Sequence, residues 1–272
     1  MFSPADREIR FGTWRRHSLH HSDARPLVMR SLALVAPLAL AGVLVANQAW
    51  AGPPFLTDDP EPVEVKHWEF YAASQWTVER HAAAGTLPHI EANYGALPGL
   101  QLHAIVPAAF TWTSGATAKY GLGDTELGAK LRFFDEVEGE WRPQVGIFPL
   151  VILPTGAKQR GLGEGAAQAL LPLWVQKSFG PWTTYGGGGL HLAREGNAVV
   201  LGWLLQRAFS EVIAGGAEAF VTTPLRGEPV QLQLNLGTVI NVSDHHHLLL
   251  SAGPSFRTDA IGQAYVAYQL TI

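Results

Sequence analysis

The chain has 272 residues, a formal net charge of -4, 15% charged and 47% hydrophobic residues, and no cysteine. No disulfide framework can form, and the slightly acidic balance offers no basic surface to nucleic acid. Beyond residue 46 no apolar run is long enough for a membrane-spanning helix, so this hydrophobic content must be arranged as alternation.

Residues 31–46 form an apolar and small-residue run of about sixteen positions, short of the roughly 20 that a spanning helix needs. Arg25 and Arg30 precede it and Ala49-Trp50-Ala51 follows, which reads as a secretory signal cleaved after Ala51 into an oxidising compartment. The first 28 residues are rich in His and Arg and unlike any part of such a signal, which makes Met29 a candidate start; the intact mass of the precursor tests it. Residues 52–62 (GPPFLTDDPEP) hold too many prolines for a central strand. They form either a periplasmic lead-in or a segment folded into a barrel mouth. The chain thus divides into an extension and signal (1–51), this Pro-rich segment (52–62) and a strand-rich body (63–272).

From Val63 the pattern has period two, the mark of strands with two different faces. Trp68, Phe70, Ala72, Trp76 and Val78 oppose His67, Glu69, Tyr71, Gln75 and Thr77. Residues 86–96 set Ile90, Ala92 and Tyr94 against His89, Glu91, Asn93 and Gly95, and Leu97-Pro98-Gly99 makes a tight turn. The third strand places Leu100, Leu102, Ala104, Val106, Ala108, Phe110 and Trp112 opposite Gln101, His103 and Thr111. After a loop at 114–120, residues 121–134 align Asp124, Glu126, Lys130 and Arg132 on one face. Four ionisable groups in one row require water or each other.

The same grammar predicts strands at 142–153, 166–177, 182–192, 198–209, 212–223, 230–241, 247–256 and 262–272. The total is about twelve, each about ten to fourteen residues long, which suits tilted strands crossing a bilayer. With both ends in the periplasm, the turns at 97–99, 178–181 and 210–211 fall on that side and the long loop 154–165 falls outside, although 135–141 is a rather long periplasmic turn. Tyr94, Trp112, Trp141, Trp182, Trp203, Tyr265 and Tyr268 are the aromatic-belt candidates, with Tyr265 on the polar face of its strand. The expected fold is an all-β, single-chain antiparallel transmembrane β-barrel of the bacterial outer membrane. Its lumen candidates are Glu69, Glu91, His103, Asp124, Glu126, Lys130, Arg132, Gln206, Glu218, Gln233 and Asn235. These residues either pair among themselves to fill the barrel or meet cargo.

The last stretch, GQAYVAYQLTI, alternates Ala264, Val266, Tyr268, Leu270 and Ile272 against Gln263, Tyr265, Ala267, Gln269 and Thr271. It resembles the closing strand of outer-membrane barrels, which the barrel-assembly machinery reads, with Ile272 in place of the usual terminal aromatic. Further segments carry a family resemblance: PPFLTDDPEP (53–62), GLGDTELGAKLRF (121–133), FPLVILPTG (148–156), LPLWVQKSFGPWTTYGGGG (171–189) and GWLLQR (202–207). They resemble the outer-membrane transporter family labelled for the meta-pathway of phenol degradation, over essentially all of residues 52–272. The resemblance implies a channel or transporter for small hydrophobic compounds and supplies no binding motif to transfer; the expected cargo is small hydrophobic or aromatic molecules, and no cofactor is expected. The alternative is a barrel with a structural or surface-interaction role.

Other features do not point to catalysis or metal binding. Consecutive histidines at 245–247 point in different directions on extended backbone, which favours a solvated turn over a metal site. GLGDTELG and GLGEG lack the strand-to-helix context and Lys-Ser/Thr ending of a phosphate loop. Gly186 to Gly189 provide room for a bend or a close approach. Ser251 and His191 have no evident orienting carboxylate, so no enzyme is expected.

Overall fold

In the computed structural model, residues 53–137 and 139–272 are described. The expected signal, its cleavage site, the Met29 start and Gly52 lie outside these residues. Strands account for nearly all the regular structure: β1 (Trp68–Glu79), β2 (Ala82–Leu97), β3 (Leu100–Thr113), β4 (Lys119–Leu122), β5 (Thr125–Phe134), β6 (Gln144–Ile147) and β7 (Leu150–Leu153) come first. A 3-10 turn at Lys158–Arg160 follows, and then β8 (Gln168–Phe179), β9 (Trp182–Leu192), β10 (Ala198–Ala208), β11 (Ile213–Pro224), β12 (Gln231–Asn241), β13 (His246–Phe256) and β14 (Ala260–Thr271). Among the described residues no helix is long and apolar enough to cross a membrane, which is no argument against crossing by strands.

All strand pairings are antiparallel, and apart from β4 to β7 each strand pairs with its sequence neighbours, with β1 paired to β14. The seam runs from Glu69 opposite Thr271 to Val78 opposite Gly262, with Glu79 opposite Ala260 after a register shift, and the backbones of Trp68 and Ile272 exchange two hydrogen bonds beyond its other end. The sheet therefore has no free edge, which removes the template for unwanted pairing. β4 and β5 are the halves of one barrel strand, since both pair with β3, and β6 and β7 are the halves of another, since both lie between β5 and β8. The result is a closed antiparallel barrel of twelve strands.

The two interruptions correct the expected unbroken strands at 121–134 and 142–153. One falls at Gly123-Asp124, where the Asp124 side chain accepts hydrogen bonds from loop backbone. The other falls at Phe148-Pro149, where proline has no N–H to give to a ladder. β2 also begins four residues earlier than the alternation indicates, at Ala82, because Ala82 to Ala84 and Gly85 continue the pairing with β3 although they show no polar–apolar contrast.

Outward rows carry exposed aliphatic and aromatic side chains, including Leu102, Val106, Leu127, Leu131, Leu171, Leu201, Leu236, Leu250 and Val266. Tyr265 is buried inside the barrel against Tyr71 and Ala267 and is no member of an aromatic belt. Trp203 faces outward but sits mid-strand, opposite Gly186 and Ala219. The glycine run admits large neighbours on both faces: a Cβ on Gly187 would come within 3.0 Å of Trp174, and one on Gly186 within 3.3 Å of the Trp203 ring. Both chain ends of the barrel leave at one rim, the terminal end; the longest connection, residues 154–167, belongs to the distal rim.

Candidate functional site

The barrel interior has two unlike walls. On β1 to β5 the inward row is polar and charged, with Tyr71, Glu91, Asn93, Gln101, His103, Asp124, Glu126 and Lys130 buried. From Phe148 through β10 to Phe220 it is apolar, with Phe148, Leu150, Leu170, Trp174, Val200 and Phe220 forming one cluster. Periodicity could not reveal that second wall. In β10, inward Val200 and Leu204 alternate with outward Leu201 and Trp203, so both faces are apolar and the contrast vanishes.

Residues 53–62 lie between these walls and match both. Phe55 packs with Tyr185 and Leu204, and Leu56 lies against the apolar cluster. Asp58, only 1% exposed, receives Lys130 Nζ at 3.0 Å, and the same ammonium donates to Asp59 Oδ1 at 3.2 Å and to the Glu61 carbonyl at 3.3 Å. Across the lumen, Glu218 accepts the backbone N–H of Leu56 at 3.1 Å and also that of Thr57. Asn235 Nδ2 donates to Glu218 at 2.7 Å and Gln233 donates to Asn235 at 2.7 Å, so the carboxylate is fixed from behind. Ser251 Oγ donates to the Pro54 carbonyl, and the Val63 N–H donates to Gln101 at 2.9 Å.

The wall beneath this segment is cut away to receive it. A Cβ on Gly202 would stand 2.2 Å from Thr57 Oγ1, and one on Gly237 would stand 2.6 Å from the Phe55 ring. Gly216, paired directly with Gly237, and Gly146 would meet Phe55 and Pro60 at 3.0 and 3.1 Å. These glycines were not singled out from the sequence. Their signal is a glycine on an inward row, where a wall side chain would otherwise stand.

The remaining lumen candidates form two groups. Glu91, Asn93, His103 and Glu126 are linked: Asn93 donates to Glu91 at 2.8 Å, and His103 reaches Asn93 Oδ1 at 2.7 Å and Glu126 at 3.0 Å. With an acceptor on each ring nitrogen, an imidazolium satisfies the whole set. Asp124 stands apart at the distal end, accepting the N–H groups of Gly156 at 2.8 Å and Glu164 at 2.7 Å and so binding loop 154–167 to the wall. Leu162 of that loop is 2% exposed. Glu69 is half-buried and accepts from Tyr71 at 2.9 Å. Arg132 pairs with Asp135 at 2.8 Å and approaches Glu61 at 4.0 Å, and Gln206 is half-buried opposite Thr183 and Gly216. The row of Asp124, Glu126, Lys130 and Arg132 thus finds partners on other parts of the chain. Its partners include the 53–62 segment, His103, a loop backbone and Asp135.

Burial pushes the Asp58 carboxyl up to about 6, even though the Lys130 ammonium pulls it down. Burial and the neighbouring Asp59 also raise Glu61. Ser251 and His191 are held by different partners, the Pro54 carbonyl and Gln168. His246 and His247 open β13 and do not lie in the turn; the three rings at 245–247 meet the Thr271 carbonyl, Tyr268 and Asn241 respectively.

Two of the cavities lie toward opposite ends of the lumen. One, about 370 Å³, opens at the terminal end among Asp58, Glu69, Glu91, His103, Lys130 and Gln269. The other, about 100 Å³, lies toward the distal end among Leu56, Gln75, Phe220, Gln231, Gln233 and Gln263.

A closed twelve-strand barrel with an apolar exterior and a partly polar, partly filled lumen is the outer-membrane class of fold. Solved structures agree with that architecture. An outer membrane channel from Pseudomonas putida F1 is 15% identical, covers 79% of this chain and 98% of its own, and superposes with a TM-score of 0.64. The KdgM porin is 8% identical over 74% of this chain and 98% of its own, with a TM-score of 0.49. The translocator domain of the autotransporter NalP from Neisseria meningitidis is 12% identical over 78% and 88%, with a TM-score of 0.45. The first likeness speaks to fold alone, and the other two carry no argument. No family model matches the chain, and no curated protein matches it.

Proposed function

We propose that the protein is a bacterial outer-membrane channel for small molecules, restricted by residues 53–62 seated in its lumen. The observation that carries this reading is the pair of cavities on either side of a segment held by wall groups from opposite sides, Lys130 and Glu218. The apolar wall of Phe148, Trp174 and Phe220 suits cargo with a hydrophobic or aromatic body, in keeping with the family resemblance. Lipid surrounds the outward aliphatic rows. The terminal rim faces the periplasm, and export by the N-terminal signal precedes insertion by the assembly machinery through β14. No catalytic step belongs to this reading.

One observation favours the structural alternative: the apolar cluster with Leu56 fills the middle of the lumen. Reconstitution separates the two. Liposomes carrying the assembled barrel should admit small solutes if it is a channel, whereas exclusion of every small solute by a heat-modifiable, correctly assembled barrel would leave the structural role. Uptake of a panel of aromatic acids, phenols and alkanes by deletion and complemented cells then defines the cargo.

A further inference from the structure

The two cavities differ in charge more than in size. Seven residues lining the terminal cavity bear carboxylates, among them Asp58, Asp59, Glu61, Glu69, Glu91 and Glu126, against one lysine, Lys130. That lysine is already shared between Asp58 and Asp59. His103 lies between Glu91 and Glu126, at 3.6 and 3.0 Å, and cannot offset both. Glu69 receives its hydrogen bond from the neutral Tyr71 hydroxyl. The second carboxylate oxygen of the buried Asp58, Oδ2, adds to this excess of negative charge, having no hydrogen-bond donor among the described residues. The distal cavity, by contrast, is lined by amides, hydroxyls, His191 and apolar groups, with no carboxylate.

We infer that the terminal cavity makes this lumen selective for cations and confines its cargo to neutral or cationic small molecules, excluding carboxylates. The inference rests on the channel reading. Carboxylates of one sign between low-dielectric walls concentrate counter-ions and repel co-ions, with local enrichments of about 10- to 10³-fold. Charges sunk in such walls are also less screened by salt than exposed ones. A neutral molecule meets no such barrier, and the amides of the distal cavity can hydrogen-bond it without imposing a charge.

The test is the reversal potential of the full-length mature barrel in planar bilayers under a KCl gradient. Liposome entry of benzyl alcohol, benzylamine and benzoate accompanies it. Expected is a K⁺ over Cl⁻ permeability ratio of about tenfold or more, with benzoate entering at least that much more slowly than the other two. Glu69→Gln with Glu91→Gln should lower the ratio severalfold. Glu64→Gln, at an exposed position of the same cavity, should lower it less and guards against misfolding of the double variant. Measurable conductance without K⁺ preference, or a ratio unmoved in assembled variants, overturns the inference and leaves the channel standing. No conductance at all overturns the channel reading and the inference with it.

Discussion

Replacing Lys130 by methionine should release the segment that crosses the lumen. Lys130 is 5% exposed, and its ammonium holds Asp58 and Asp59 at 3.0 and 3.2 Å. Methionine keeps much of the bulk and removes the charge, leaving Asp58 buried without its counter-ion. Removing one partner of a buried pair costs about 3–5 kcal/mol. Asp58 can escape part of this by taking up a proton, but neutralising an ordinary aspartate of pKa about 3.9 at pH 7 itself costs about 4 kcal/mol, within the same range. At about 1.4 kcal/mol per tenfold, the seated-to-released ratio should fall by roughly 10²- to 10³-fold. Single-channel recording in planar bilayers reads this directly, as larger or more frequent openings at normal assembly yield. Lys130→Met combined with Asp58→Asn removes both charges and should restore most of the closed behaviour. The reasoning fails if correctly assembled Lys130→Met conducts like the parent, or if the double variant opens as much as the single.

Acidification should act in the opposite direction. Asp58 binds its proton at about pH 6 when seated and near 3.9 when free, so the seated state takes up a proton between these values that the released state does not. Its folded value being raised, lower pH favours seating, by about tenfold between pH 7 and pH 5, and Glu61 shifts in the same sense; more frequent opening at pH 5 would contradict it. Leu250→Arg, on the outward row mid-strand in β13, should cost about 2–4 kcal/mol in lipid, Leu270→Asp near the rim less than about 1, and Gln269→Asp, facing the lumen, least. Yields of heat-modifiable barrel should fall in that order, and equal yields would refute the inside and outside rows. Asp124→Ala removes the carboxylate that accepts the Gly156 and Glu164 N–H groups of loop 154–167, so trypsin should cut the assembled barrel after Lys158 or Arg160 at least tenfold faster; unchanged cleavage would show that the bonds of Thr155, Lys158 and Arg160 suffice to hold the loop.

The alternation that is legible in the sequence follows from lipid and lumen making opposite demands on neighbouring residues. Where the two faces differ, as in Leu102 against His103 or Leu127 against Glu126, a single strand betrays both its conformation and its register. The strand count was legible for the same reason, since turns and polar connections separate the alternating runs. The tertiary structure decided what lay beyond one strand. It put apolar Trp174 and Val200 inside a lumen whose opposite wall is ionic, a contrast that needs the barrel closed before it exists. The break at Asp124 depends on what that side chain meets across the sheet, whereas the break at Pro149 follows locally from its missing N–H. The pairing of Lys130 with Asp58, 72 residues away in sequence, and the glycine recesses under Phe55 and Thr57 likewise depend on distances that only closure of the barrel sets. Period-two chemistry is local and can be read from the chain; complementarity between a lumen wall and the segment inside it is non-local, because it arises only when many strands converge on one point.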